Sequence, residues 1–141
     1  MAYTTINKST DYFNTQLYTG NGSSSQSITG VGFQPDLVWL KNRSAAASNH
    51  LSDSVRGKSG SNYYTLVTDT NAAQAVQGDN DGINTLGTDG FSVGYTNSTA
   101  WNNNGNNYVS WNWKAGTTGS GTTTGSGTGK AYSYSVNTTS G

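Results

Sequence analysis

Short runs of apolar residues, separated by turns rich in glycine and asparagine, account for most of the first 115 residues. Runs of about four to eight residues bounded by such turns are typical of β-strands. The pattern predicts strands at 12–19, 25–33, 36–42, 62–69, 83–87, 90–96 and 107–115. A helical pattern is found only in NAAQAV, residues 71–76, which is too short to be stable as an isolated helix. We therefore predict an all-β fold, either a sandwich or a barrel.

Two of these strands carry tryptophans. Leucine, valine, tryptophan and leucine follow one another at 37–40, which predicts a central strand buried on both faces. In NYVSWNWKA, residues 107–115, apolar and polar side chains alternate, which predicts one buried and one solvent-facing side. We therefore expect Trp39, Trp111 and Trp113 in the core.

The composition limits the classes of function. Seven basic residues balance seven acidic ones, whereas binding to nucleic acid or to an anionic membrane requires a surplus of Lys and Arg. The chain has no cysteine, which excludes disulfides and thiolate metal sites. The N-terminus has no apolar segment of signal-peptide length, and no run approaches the roughly 20 apolar residues of a membrane span. We expect synthesis and folding in the cytoplasm, without membrane insertion.

The composition changes abruptly after Ala115. Residues 116–130 are almost wholly Gly, Thr and Ser, which bury too little apolar surface to offset the entropy of ordering, so we predict a linker. The alternation in AYSYSVN, residues 131–137, predicts one more strand. It must pair with the body or with another chain, because a lone strand is not stable in water. The predicted units are an N-terminal arm at 1–11, a β-module at 12–115, the linker, and a final segment at 131–141.

Four stretches in a fixed order carry a resemblance: YTGNGSSSQSITGVGFQPDLVWLKNR, HLSDSVRG, TDGFSVG and NNNGNNYVSWNWKAG. Together they resemble bacteriophage virion proteins, often described as tail-fibre or structural proteins, with a concanavalin A-like lectin/glucanase fold. The resemblance covers about residues 12–116 and implies a jelly-roll-like β-sandwich of two antiparallel sheets. Members often carry the module in tandem, so 131–141 would lead into a second copy. The chain would then be the first module of a longer protein, or a short member that kept the lead-in.

The resemblance also implies a function and partners. The chain would be a structural protein of the virion, serving attachment either by docking a fibre onto the particle or by recognising host-surface glycans. A capsid decoration or head-fibre protein is the alternative, and a stand-alone lectin is a more distant one. Partners would be other virion proteins and further copies of the chain, trimers being common in fibres. No P-loop, dinucleotide-binding or zinc-binding pattern is present, so no cofactor is expected.

HLSDSVRG, at 50–57, groups His50, Asp53 and Arg56. An aspartate near an arginine can orient a substrate or close a turn through a charge-assisted hydrogen bond, and we favour the structural turn. Ser52, His50 and Asp53 have the residue types of a catalytic triad. We do not expect them to form one, because side chains so close in sequence rarely reach the hydrogen-bonded arrangement that a triad needs. Glycosidases need two facing carboxyl groups, but the chain has no glutamate and no Asp-x-Asp pair on a predicted strand. We therefore predict no catalytic residue and no enzyme.

DNDG, at 79–82, begins like a calcium-binding loop but lacks the glutamate that closes such a loop. We favour Asp79 and Asp81 as turn formers. The alternative is a calcium site that involves Asp79, Asp81 or Asp89.

The loop TNSTAWNNNGNNY, at 96–108, is the candidate sugar-binding site. Trp101 lies outside the strand pattern and is followed by Asn102, Asn103 and Asn104. An aromatic ring beside amides is suited to stacking on a neutral sugar and forming hydrogen bonds with it. The competing interpretation, which we favour, is that Trp101 closes the end of the sandwich while the asparagines form turns.

Overall fold

The computed structural model describes residues 8–76, 78, 80–115, 117–122 and 131–136. Within these ranges the all-β prediction is confirmed, with only a 3-10 turn at Ser9–Asp11 besides the strands. No helix in the described ranges is long and apolar enough to span a membrane. The strands are β1 (Phe13–Thr19), β2 (Gln26–Thr29), β3 (Leu37–Asn42), β4 (His50–Asp53), β5 (Lys58–Ser59), β6 (Asn62–Tyr63), β7 (Thr65–Val67), β8 (Gly82–Gly87), β9 (Gly90–Gly94), β10 (Asn107–Trp113), β11 (Thr117–Thr122) and β12 (Ala131–Val136).

The strands form two main antiparallel sheets. The larger is five-stranded in the order β1-β10-β3-β4-β7, and the smaller is three-stranded in the order β2-β9-β8. As predicted, β3 is the central strand of its sheet, but only one of its two faces is buried. Strands β5 and β6 form a separate short pair.

One hydrophobic core lies between the two main sheets. Its buried residues come from β3 and β10 on one side, from β2, β8 and β9 on the other, and from the loop before β10: Ile28, Val38, Leu40, Ile83, Phe91, Val93, Ala100, Trp101 and Tyr108. Because both sheets contribute to one cluster, their inner faces pack against each other as in a β-sandwich.

Gly90 allows the strands of the smaller sheet to approach closely. Its φ of 146° is unfavourable for residues with a side chain. A Cβ at this position would also collide with the backbone carbonyl of Ile28 on β2. Glycine is therefore required here both by conformation and by space.

The structure confirms the predicted turn for Asp53 and Arg56 but not for His50. Asp53 ends strand β4 (His50–Asp53) and closes the turn that follows it by accepting a hydrogen bond from Arg56, whereas His50 begins the strand. The weak helical pattern at 71–76 gives no helix, and Ala75 instead makes a β-bridge with Thr65. His50 and Ala75 thus take the conformation of their sheet neighbours, which overrides weak local preferences.

The C-terminal region contains a β-hairpin where a linker was predicted. Strand β11 pairs antiparallel with β12, from Thr117 opposite Val136 to Thr122 opposite Ala131. The predicted last strand therefore exists, and its partner is the first half of the predicted linker. The remainder of the linker and residues 137–141 lie outside the described residues.

Candidate functional site

The outer face of the five-stranded sheet is mainly apolar. One row of directly opposed residues crosses all five strands: Thr15, Trp111, Trp39, Leu51 and Leu66. Flanking rows are Phe13, Trp113, Leu37 and Asp53 on one side, and Leu17, Val109 and Lys41 on the other. We call these three rows the outer apolar face, since only Thr15, Asp53 and Lys41 among them are polar.

Exposure singles out this face from the rest of the surface. Every exposed large hydrophobic side chain in the described part of the protein belongs to it: Phe13, Leu17, Trp39, Leu66 and Trp113. The exposed fractions run from 36% for Phe13 to 63% for Leu17. Isolated exposed apolar residues are normal in soluble proteins, but a contiguous group marks an interaction surface.

The aromatic rings of this face pack against each other across strands. Phe13 and Trp113 have ring centroids 5.0 Å apart with planes inclined by 52°. Trp39 and Trp111 are 5.2 Å apart and inclined by 41°. The Trp39 Nε1–H group donates a hydrogen bond to Thr68 Oγ1 at 3.2 Å. The rings are therefore held in place before any partner binds.

The placement of Trp39, Trp111 and Trp113 in the core is thus wrong. Trp39 and Trp113 are each 37% exposed and Trp111 is half-buried. On β10 the other side chains of the alternation, Ser110 and Asn112, point inward and are fully buried. The strand has the predicted alternation, but its polar side faces the core.

Hydrogen bonds make this polar interior stable. Asn112 Nδ2 donates to the backbone carbonyl of Asn14 at 3.0 Å and contacts Ser110 Oγ at 3.1 Å. Asn42 Nδ2 and the Tyr108 hydroxyl both donate to the carbonyl of Thr99, at 2.6 and 2.9 Å. Buried polar groups with such partners avoid most of the cost of losing water.

The loop at 96–108, the candidate sugar-binding site, is built into the fold, in agreement with the competing interpretation of Trp101. Trp101 is 1% exposed and Asn102 is fully buried. Asn102 accepts a hydrogen bond from Asn21 N at 3.1 Å and donates to Ser23 O at 3.0 Å. Asn103 N donates to the Tyr108 hydroxyl at 2.9 Å, and of the four candidate residues 101–104 only Asn104 is exposed. Trp101 closes one end of the core, so its ring is not available to stack on a sugar.

His50 packs against Trp101 inside the sandwich. Their ring centroids are 4.3 Å apart, and His50 lines a cleft of about 300 Å³ together with Val67 and Thr99. Burial lowers the pKa of His50 from 6.5 to about 4, and nearby Asp69 partly opposes this shift. Among the described residues, His50 Nδ1 has no hydrogen-bond partner. The ring is therefore neutral at physiological pH.

We expect the free energy of unfolding to fall as the pH drops from about 6.5 to about 4. In that window the unfolded chain binds a proton on His50, whereas the folded protein does not, so protonation favours unfolding. Urea denaturation at a series of pH values measures the effect. His50 is the only histidine, so His50→Gln should remove this slope. An equal slope in the variant would contradict the assignment.

Asp53 and Arg56 pair in the turn after β4. Asp53 Oδ1 accepts from Arg56 N at 2.8 Å, and Asp53 Oδ2 accepts from Arg56 Nε at 2.5 Å. Arg56 also donates to the carbonyl of Leu51 at 3.1 Å. The side chain of His50 is directed to the core and takes no part in this turn.

Asp81 and Asp89, two of the three residues considered for a calcium site, instead stabilise loops of the fold through hydrogen bonds. Asp81 is buried and accepts hydrogen bonds from Thr96 N and Thr96 Oγ1, both at 2.7 Å. Asp89 accepts from Gly30 N and Gly32 N at 3.0 and 2.7 Å, and these donors lower its pKa. Asp79 lies outside the described residues. Within the ranges covered by the structure, no three His, Cys, Asp or Glu side chains group as metal ligands do.

Comparison with protein families gives a match that covers almost the whole chain. The model of a family described as a domain of unknown function, DUF7483, matches residues 8–141. No curated protein and no solved structure matches the chain.

Proposed function

The chain belongs to the DUF7483 family of domains of unknown function, and we propose that it is a structural module of a bacteriophage virion. In this proposal it is a concanavalin A-like β-sandwich in a tail fibre or similar appendage, where it attaches one component of the particle to another. The virion assignment is supported by the ordered motifs at 12–116, and the docking role by the outer apolar face.

The outer apolar face is the observation that carries the docking role. It combines Trp39, Trp113, Phe13, Leu17 and Leu66 on one regular sheet. Interfaces are enriched in aromatic residues and depleted of charge at their centres, and this face has that composition. A structural protein that works in an assembly buries such a surface when it assembles.

Two observations favour docking over the other functions considered. Recognition of glycans loses its main support because Trp101 and Asn102 are buried. Catalysis by paired carboxylates is disfavoured because Asp53, Asp81 and Asp89 accept hydrogen bonds from the chain's own loops. We accordingly propose a non-enzymatic role.

Mass spectrometry and cryo-electron microscopy of purified particles of the virus that encodes the chain test this function. We expect the chain to be detected in the particle, with its density at the tail or its collar. Density spread over the capsid lattice would instead identify a decoration or head-fibre protein. Absence of the chain from purified particles would overturn the virion assignment.

A further inference from the structure

We propose that the outer apolar face is a two-fold interface that binds the same face of a second copy of this chain. The inference rests on the proposed structural role and adds the partner and the contact surface. Sheets that pack face to face in this way lie about 10 Å apart with their side chains interdigitated. Residue i on one copy then meets residue j on the other, and the reverse contact follows by symmetry.

The charges on the outer apolar face do not oppose its packing against the same face of a second copy. Its two ionic residues have opposite signs, and each already has a polar partner within the chain. Lys41 Nζ donates to Asn49 Oδ1 at 2.9 Å, and Asp53 pairs with Arg56. A face that carried charges of only one sign would repel the same face of a second copy. The net charge of this face is zero, so no such repulsion arises.

The ring geometry favours protein side chains over a flat polysaccharide. Stacking on a planar sugar chain requires aromatic rings that share a plane. Here the planes are inclined by 52° between Phe13 and Trp113 and by 41° between Trp39 and Trp111. Rings inclined to one another instead interdigitate with side chains such as Leu17 and Leu66 from an opposing sheet.

The size of the face fits a reversible dimer. The five strands run from seven residues in β1 and β10 to three in β7. With a mean length of about 17 Å and a spacing of about 4.8 Å, they give a projected area of roughly 400 Å². Side-chain relief raises this toward the roughly 500 Å² per partner that a small specific interface buries. An interface at this low end of the size range is typical of weak, reversible association, so we expect a dissociation constant on the order of 10 µM.

Analytical ultracentrifugation of the full chain over a range of concentrations tests the inference. The wild type should shift from a 14.8 kDa monomer to a dimer as its concentration rises. The double variant Leu17→Lys and Leu66→Lys places two like charges on the face at exposed positions, where folding is little affected. We expect it to dimerise about 100-fold more weakly, because unpaired charges would be buried.

The matched control adds the same two charges to the other sheet. Ser27 and Thr29 are exposed on β2, so the Ser27→Lys, Thr29→Lys double variant should dimerise like the wild type. Circular dichroism checks that each variant is folded. A wild type that remains monomeric at about 1 mM, a trimer, or a dimer insensitive to both double variants would overturn the two-fold interface. None of these results would affect detection of the chain in particles, so failure of the two proposals is distinguishable.

Discussion

Replacing Trp101 with alanine should lower the free energy of unfolding by about 3–5 kcal/mol. The side chain is 1% exposed and packs on the ring of His50, so its removal leaves a cavity at the end of the core. Urea denaturation followed by circular dichroism measures the loss. If the alanine variant does not fold, Trp101→Phe gives a smaller loss, since the indole Nε1 has no hydrogen-bond partner among the described residues.

Trp113→Ala is the matched control for this experiment. Its ring is 37% exposed on the outer apolar face, so we expect a loss below about 1.5 kcal/mol when the protein is dilute enough to be monomeric. Equal losses for Trp101 and Trp113 would contradict the different burial of the two rings. If Trp113 were in the core, as the alternation on β10 predicts, and Trp101 were an exposed sugar-binding ring, the order of the two losses would be reversed.

Replacing Gly90 with alanine should cost about 3 kcal/mol or more, because steric overlap adds to backbone strain. The new Cβ would meet the carbonyl of Ile28, which forces β2 and β9 apart. The φ of 146° is itself strained for alanine. Urea denaturation measures the change, and nuclear magnetic resonance of the amides of β2 locates it.

Gly82→Ala separates the two causes. Gly82 has nearly the same φ, 144°, but a Cβ there would make only an ordinary van der Waals contact, 3.5 Å from Asn62 Cγ. We expect this variant to lose only about 1–2 kcal/mol, the cost of the backbone conformation. Similar losses at both glycines would mean that the close approach of β2 and β9 does not limit stability.

The sequence was sufficient to predict where most strands lie, but not which face of a strand is buried. Alternation on β10 was visible, and the usual rule directs Trp111 and Trp113 inward. The rule fails because Ser110 and Asn112 have hydrogen-bond partners inside the sandwich, one of which lies on β1, almost a hundred residues away. Such partners cannot be identified from one strand alone.

The candidate sites also differ in how well the sequence predicts them, according to whether their residues are close in sequence or are brought together by strand pairing. The closeness of Asp53 to Arg56 in sequence was enough to suggest a turn. By contrast, β4 has a single large apolar residue, Leu51, and is recognisable as a strand only through its pairing with β3 and β7. The outer apolar face requires the register of five strands, although the consecutive apolar run at 37–40, which places apolar side chains on both faces of β3, was a signal that could have indicated it.

The polar interior of β10 has a consequence for how the chain folds. A shift of this strand by one residue against β1 and β3 would turn Trp111 and Trp113 inward and Ser110 and Asn112 outward. Apolar burial alone selects poorly between the two alignments, because it does not depend on direction. The native alignment is distinguished by directional bonds, such as that from Asn112 to Asn14. Strand register in this protein is therefore specified by buried amide groups as well as by apolar side chains.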